Sequence, residues 1–145
     1  MSELNKTVCR RLIEEVVNRG NFALVDTLVS QNYVYHGPGG LELRGRDGFK
    51  QLVTLYRTAF PDLQMTIHDV VAENEKVALR WTARGTHKGD LAGIAPTGRT
   101  TTVTGIIVSR VVDGMLAEDF ETFDEVGMLR QLGVSKIPAP VPVQA

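Results

Sequence analysis

The chain has 145 residues, of which 43% are hydrophobic and 23% are charged. This length and composition favour one globular domain with a sizeable core and exclude a disordered chain. The formal net charge of −1 argues against a nucleic-acid partner, because phosphate binding needs a basic excess. No apolar run is long enough to span a membrane, and the N-terminus lacks the apolar core of a signal peptide. We therefore predict a cytoplasmic protein with no membrane partner.

Hydrophobic periodicity predicts helices in the first part of the chain. Apolar residues at three- and four-residue spacing predict a helix over 2–19. Asn21 is positioned to cap a short second helix. Alternation over 32–36 predicts a short strand, and the glycines and proline of 37–40 predict a loop. A third amphipathic helix is predicted over 47–60, with a proline directly after it.

After this helix the apolar period changes to two. Four long strands are predicted, over 63–73, 76–87, 100–112 and 115–123, followed by a short helix over 124–132. Helices followed by a run of strands predict an α+β fold with a mostly antiparallel sheet. A long twisted sheet curls, so helices packed on its concave face would leave a cone-shaped cavity.

Residues 1–136 are predicted to form this single α+β domain. Glycines and a proline over 85–99 predict a loop or bulged strand ends between the second and third long strands. The proline-rich residues 137–145 are predicted to form an extended tail.

Four short motifs resemble one known family. They are Arg84-Gly-Thr-His-Lys-Gly89, Gly93-Ile-Ala-Pro-Thr-Gly98, Arg110-Val-Val-Asp-Gly114 and Leu129-Arg-Gln-Leu-Gly133. Together they resemble the SnoaL-like polyketide cyclases of the nuclear transport factor 2-like superfamily, over residues 4 to 133. The resemblance implies a cone-shaped α+β barrel and an enzyme that closes a ring in an aromatic polyketide ester by intramolecular aldol condensation, without metal, Schiff base or other cofactor.

The resemblance also implies a catalytic residue. In the family a buried carboxylate near the end of the strand after the Asp-Gly hairpin acts as general acid and base, and the matching position here is Glu121. A histidine near that carboxylate in the family corresponds to Ile107. The sequence therefore keeps a carboxylate, one methylene longer, and lacks the histidine.

The face on which Glu121 lies depends on the preceding hairpin. A two-residue loop, Asp113-Gly114, places Glu121 opposite Ile106. A three-residue loop beginning at Val112 places it opposite Gly105, and Glu121 and Ile107 then share one sheet face. The resemblance favours the three-residue loop, because the family implies a shared site. Apolar neighbours there would raise the carboxyl pKa towards neutrality.

Removing a proton from carbon also requires a group that stabilises the enolate oxygen. The candidate donors and apolar wall residues of the pocket are Val16, Tyr33, Tyr35, His36, Leu52, Tyr56, Phe60, Trp81 and Ile107. The apolar members and Trp81 are equally consistent with ordinary core packing, and His36 with a solvated loop. None of the three histidines has the spacing of a metal site, so no metal is expected.

The outer sheet face is predicted to mix Arg80, Thr82, Arg84, Val108 and Arg110, which suits either solvent or a second subunit. The leading prediction is a cofactor-free cyclase for a hydrophobic cyclic or aromatic carbonyl compound, forming a homodimer through this outer face. The alternatives are a non-catalytic small-molecule-binding protein on the same fold, or a related isomerase, dehydratase or epoxide hydrolase.

Overall fold

The computed structural model describes residues 2–134. Its helices pack against one curved sheet. Helix α1 (Ser2–Arg11) continues into a π-helical segment, Leu12–Val17, and a 3₁₀ turn, Phe22–Leu24, leads into α2 (Val25–Leu28). Helix α3 spans Gly45–Ala59, and α4 spans Glu125–Gln131. The proline-rich tail predicted for 137–145 lies outside the described residues. No helix in the described part is long and apolar enough to cross a membrane.

The sheet has six strands in the order β2-β1-β6-β5-β4-β3. They are β1 (Val29–His36), β2 (Glu42–Arg44), β3 (Gln64–Glu73), β4 (Lys76–Thr86), β5 (Thr100–Val112) and β6 (Met115–Phe123). All neighbouring strands are antiparallel except β1 and β6, which are parallel. The predicted α+β fold with a curved, mostly antiparallel sheet is confirmed.

Three features of the N-terminal half differ from the sequence prediction. Strand β1 begins at Val29 rather than at residue 32, and the three-residue edge strand β2 was not predicted. The predicted first helix changes type at Leu12, where the backbone N–H of Asn18 bonds to the carbonyl of Ile13 at 2.9 Å. This five-residue spacing widens the helical turn and changes which side chains face inward.

The β5–β6 hairpin corrects the predicted register. Val112 pairs with Met115, so the loop has two residues, and Asp113 and Gly114 both have positive φ (51° and 77°). The favoured three-residue loop is therefore wrong. Leu116 pairs with Val111 and Glu118 with Arg110, so Ala117 is an extra, bulged residue. Beyond this bulge every β6 side chain is offset by one position relative to the simple two-residue hairpin.

The bulge places Glu121 directly opposite Ile107, and not opposite Gly105 or Ile106. Opposed residues of an antiparallel pair point to the same sheet face. Glu121 and Ile107 therefore share the inner face, as the resemblance implied, although by a different hairpin from the one predicted.

The core lies between this inner face and the helices. Val8 and Leu12 from the N-terminal helix, Phe49 and Val53 from α3, and Val77 from β4 are all buried. These apolar stripes drive the helices onto the sheet, at roughly 25 cal/mol for each Å² of apolar surface removed from water. The helices do not fill all of the space above the inner face, and a cavity remains.

Candidate active site

The cavity lies between the inner face of the sheet and the N-terminal and third helices, with a volume of about 130 Å³. Its wall is almost entirely apolar and includes Leu12, Ile13, Leu52, Leu79 and Phe123. A dry cavity of about 150 Å³ accommodates a single aromatic ring. The space therefore suits one apolar ring of a ligand, while the open side leaves the rest of a larger molecule outside.

Glu121 is the acidic group at the centre of this wall. Its half-buried side chain lines the cavity, and Oε1 accepts a hydrogen bond of 2.6 Å from the hydroxyl of Tyr35 on β1. None of the ion pairs found within residues 2–134 includes Glu121. In this part of the chain the Glu121 carboxyl therefore has one neutral hydrogen-bond donor and no ion-pair partner.

Burial raises the pKa of Glu121 from 4.5 to about 7. The hydrogen bond from Tyr35 opposes this rise because it stabilises the charged form, and the nearby carboxylate of Asp119 reinforces it by repulsion. A carboxyl with a pKa near neutrality is present in both forms at neutral pH. It is therefore suited both to accept a proton and to return one.

Two further polar groups face the same space. The indole Nε1–H of Trp81 is buried with no hydrogen-bond partner in the described part of the chain, yet it lies close enough to Glu121 to lower the pKa of that carboxyl. Tyr56 lines the cavity from α3, and the charge of Glu121 contributes to raising the pKa of its hydroxyl. An unsatisfied buried N–H costs about 1–3 kcal/mol, so a ligand oxygen that accepts from Trp81 would recover that energy.

A second carboxyl lines the cavity two residues before Glu121. Asp119 is buried, and each of its oxygens accepts one hydrogen bond, from Tyr33 at 2.8 Å and from Ser109 at 2.5 Å. Burial raises its pKa to about 6, against the effect of these two donors. Asp119 was not among the predicted site residues. The available signal was the two-residue spacing, which places Asp119 and Glu121 on one face of a strand.

The structure brings seven of the predicted site residues together around the cavity. They are Tyr35, Leu52, Tyr56, Phe60, Trp81, Ile107 and Glu121. These residues lie far apart in the chain, from β1 to β6. The curvature of the sheet and the packing of α3 across it bring them together.

Three predicted pocket residues lie elsewhere. Val16 is fully buried in the core, because the π-helical turn directs Leu12, Ile13 and Val17 to the cavity instead. Tyr33 is buried beside the cavity wall, with its ring in edge contact with Phe49.

His36 lies on the opposite sheet face. Its imidazole bonds Glu118 at 2.8 Å and stacks on the ring of Phe120 with centroids 4.3 Å apart. Alternation along β1 explains this placement, since Tyr35 points inward and its neighbour must point outward. The predicted role of His36 as a pocket donor does not fit this position.

Sequence reasoning also missed much of the apolar wall, including Cys9, Leu12 and Val17 from the N-terminal helix and Met128 from α4. These residues carried only the general signal of an apolar helix stripe. Within residues 2–134, no group of three or more His, Cys, Asp or Glu side chains is arranged to hold a metal ion.

Comparison with known proteins places the chain among relatives of the same architecture. The family model described as SnoaL-like polyketide cyclase matches residues 7–132. Aklanonic acid methyl ester cyclase DnrD of Streptomyces peucetius is 31% identical over 139 residues, which cover 92% of this chain and 91% of that protein.

Solved structures agree with this assignment. The crystal structure of IdmH from Streptomyces antibioticus has 34% sequence identity and a TM-score of 0.78, covering 90% of this chain and 99% of that one. A SnoaL-like protein from Jannaschia sp. CCS1 has a TM-score of 0.86 at 16% identity, covering 94% and 96% of the two chains, which shows the shared fold. These comparisons confirm the predicted family and the prediction of an enzyme. The chain belongs to the SnoaL-like polyketide cyclase family.

Proposed function

We propose that the chain closes a ring in a hydrophobic aromatic or cyclic carbonyl compound by an intramolecular aldol reaction, with Glu121 as general acid and base. The observation that carries the proposal is the Glu121 carboxyl in an apolar cavity, with a pKa near 7 and no ion-pair partner in the described residues. The relative DnrD is named a cyclase of aklanonic acid methyl ester, which makes that ester, or an analogue of it, the first substrate to test.

In this mechanism the ionised Glu121 removes a proton from the carbon next to a substrate carbonyl. The Trp81 N–H and the Tyr56 hydroxyl are the nearby groups able to donate to the developing enolate oxygen. The enolate carbon then attacks a second carbonyl of the same molecule and forms the carbon–carbon bond. Glu121 returns its proton to the new alkoxide, so the product is a cyclic alcohol isomeric with the substrate.

The test is an assay of ring closure with aklanonic acid methyl ester, detecting a product of unchanged mass by chromatography. Glu121→Gln should reduce kcat by about 10²–10⁴-fold, the usual contribution of general acid–base catalysis. Glu118→Gln is the matched control, because Glu118 lies on the same strand but points to the outer face.

Three outcomes are informative. Turnover by Glu121→Gln equal to that of the native protein removes Glu121 from the mechanism. Ligand binding without turnover, measured by calorimetry, would favour the alternative of a non-catalytic binding protein. Conversion to an open-chain product would favour a related isomerase if the mass is unchanged, and a related dehydratase if one water is lost.

We also propose that two copies pair through the outer face of the sheet. Large apolar side chains are exposed there, with Ile106 47%, Phe120 54% and Val71 63% accessible, and isolated monomers seldom expose such a patch. Phe120→Asp should convert a dimer to a monomer in analytical ultracentrifugation, whereas Leu4→Asp, at an exposed apolar position on α1, should not. A native protein that sediments as a monomer would contradict the pairing. The cytoplasmic location remains a prediction from the sequence.

A further inference from the structure

The two carboxyls that line the cavity, Asp119 and Glu121, belong to a repeated arrangement across two neighbouring strands. Tyr33 and Tyr35 alternate on β1, and Asp119 and Glu121 alternate on β6, which runs parallel to β1 with Tyr35 beside Asp119. Tyr33 donates to Asp119 at 2.8 Å and Tyr35 donates to Glu121 at 2.6 Å. Because alternate residues of one strand are about 7 Å apart, the two tyrosine–carboxyl pairs are direct neighbours.

The two pairs are not equivalent. Asp119 has a second donor, the Ser109 hydroxyl on β5, so both of its carboxyl oxygens are hydrogen-bonded. Within residues 2–134, Glu121 accepts one hydrogen bond, from Tyr35 at one oxygen, and the Trp81 N–H lies nearby. Hydrogen bonds from neutral donors stabilise the charged form of a carboxyl. Negative charge is therefore held better on Asp119 than on Glu121.

The other groups around the pair do not change charge near neutral pH. Burial raises the pKa of Cys9, on α1, to about 12. The hydroxyls of Tyr33, Tyr35 and Tyr56, from β1 and α3, have pKa values raised well above their ordinary range. Three charged residues lie around these groups: Glu118 on the outer face, whose charge acts on Asp119, Glu125 at the start of α4, whose charge acts on Tyr56, and the exposed Arg84 in the cavity wall.

We propose that Asp119 and Glu121 share one proton, with Asp119 holding the negative charge and acting as the positioning residue that keeps the proton on Glu121. Asp119 remains bonded to Tyr33 and Ser109, while Glu121, with its freer oxygen, exchanges the proton with the ligand. The catalytic meaning of this pairing rests on the proposed function, but the pairing itself is a property of the protein alone.

The pairing fits the acid–base task. With a charged carboxylate beside it, Glu121 keeps its proton to a higher pH than burial and one hydrogen bond would allow alone. After Glu121 gives up that proton, two adjacent negative charges favour its recovery. A single isolated carboxyl in the same cavity would lack this restoring repulsion.

The test follows the Glu121 carboxyl by ¹³C NMR of protein labelled at the Glu side-chain carboxyl, without substrate. The signal is assigned by its disappearance in Glu121→Gln, and its midpoint is measured against pH. Asp119→Asn should lower the Glu121 midpoint by about one pH unit, because the neighbouring charge is gone. Tyr33→Phe should move it in the same direction by less, since Asp119 then holds its charge less well.

Tyr35→Phe is the matched control and should move the Glu121 midpoint upward, because Glu121 loses its own donor. A merely structural role for Asp119 would not give these opposite signs. If Asp119→Asn does not fold, judged by the fluorescence of Trp81, Tyr33→Phe replaces it, because its ring still packs against Phe49.

An unchanged or higher Glu121 midpoint in a folded Asp119→Asn or Tyr33→Phe variant overturns the pairing. So does an Asp119 carboxyl that, in the native protein labelled at Asp, titrates above Glu121. Both results are independent of turnover. A failure of the ring-closure assay would reject the proposed function but would not contradict the shared proton.

Discussion

Replacing Glu121 by Gln tests whether the carboxyl is held protonated by the fold. The substitution keeps the side-chain shape and an acceptor for Tyr35 but removes the titration. The folded protein holds the proton up to a pKa of about 7, whereas an ordinary glutamate releases it near 4.5. The contribution of this bound proton to the free energy of unfolding is therefore fully present below pH 4.5 and is lost as the pH rises through 7.

The interval from 4.5 to about 7 sets the size of the effect. At ~1.4 kcal/mol for each pH unit, it corresponds to about 3 kcal/mol. Between pH 5 and pH 8 the native chain should lose about 2.5 kcal/mol of this contribution, since part of it is already lost at pH 5. Glu121→Gln does not titrate, so its stability relative to the native protein should increase by the same amount.

Urea denaturation of both proteins at pH 5, 6, 7 and 8 measures this difference. Asp119 also titrates in this range in both proteins, and only the part of its titration that depends on the charge of Glu121 remains in the difference. Glu14→Gln, an exposed position on the π-helical segment, controls for loss of a charge. A difference between native and Glu121→Gln that stays constant from pH 5 to pH 8 would refute the buried, proton-holding carboxyl.

Three further substitutions or reagents probe the cavity wall. A Cβ on Gly105 would lie 2.4 Å from the Trp81 ring, so Gly105→Ala should destabilise the fold by about 1–3 kcal/mol. It should also change the fluorescence emission of Trp81, the single tryptophan, and unchanged emission would contradict this. A Cβ on Gly37 would lie 2.5 Å from the Tyr35 ring, so Gly37→Ala should disturb the hydrogen bond from Tyr35 to Glu121 and raise the pKa of Glu121. A ¹³C titration measures this pKa, and a lower midpoint would contradict the prediction. Burial raises the pKa of Cys9 to about 12, so the native thiol should react with iodoacetamide only on unfolding, and rapid modification of the folded protein would be inconsistent with this environment.

Local patterns in the sequence were sufficient for most elements. The period-two segments predicted β3 to β6 to within about two residues, and Asp113-Gly114 predicted the hairpin, since both positions tolerate positive φ. These features depend only on neighbouring residues. Alternation along β1 puts Tyr35 and His36 on opposite faces of the sheet, but it did not decide which of the two faces the cavity, and both were predicted as pocket residues.

Other features depend on contacts between distant parts of the chain. The parallel pairing of β1 with β6 joins residues more than 80 positions apart and brings Tyr35 to Glu121. The bulge at Ala117 and the π-helical turn after Arg11 each shift the register by one residue. Neither has a clear local signature, and each decides which side chains enter the cavity. Site residues therefore escaped prediction where register, rather than element type, was in question.

Position 107 holds an isoleucine where the family resemblance implies a histidine near the catalytic carboxylate. Ile107 lies directly opposite Glu121 on the inner face, whereas its neighbour Ile106 points outward and is 47% exposed. An imidazole at 107 would meet the carboxyl in a low-dielectric cavity, and attraction between the two charged forms would lower the pKa of Glu121. Ile106→His adds the same side chain to the same strand without reaching the cavity, and serves as the control.

Ile107→His should therefore reduce the loss of stability between pH 5 and pH 8 that Glu121 causes, and move the Glu121 carboxyl midpoint downward, while Ile106→His changes neither. A Glu121 midpoint unchanged in a folded Ile107→His protein would show that the two positions do not communicate across the hairpin. The expected result would show that the isoleucine at 107 affects the chemistry of Glu121. An apolar side chain at 107 leaves Glu121 without a cationic partner, so the carboxyl remains protonated to near neutral pH and can serve as the acid as well as the base.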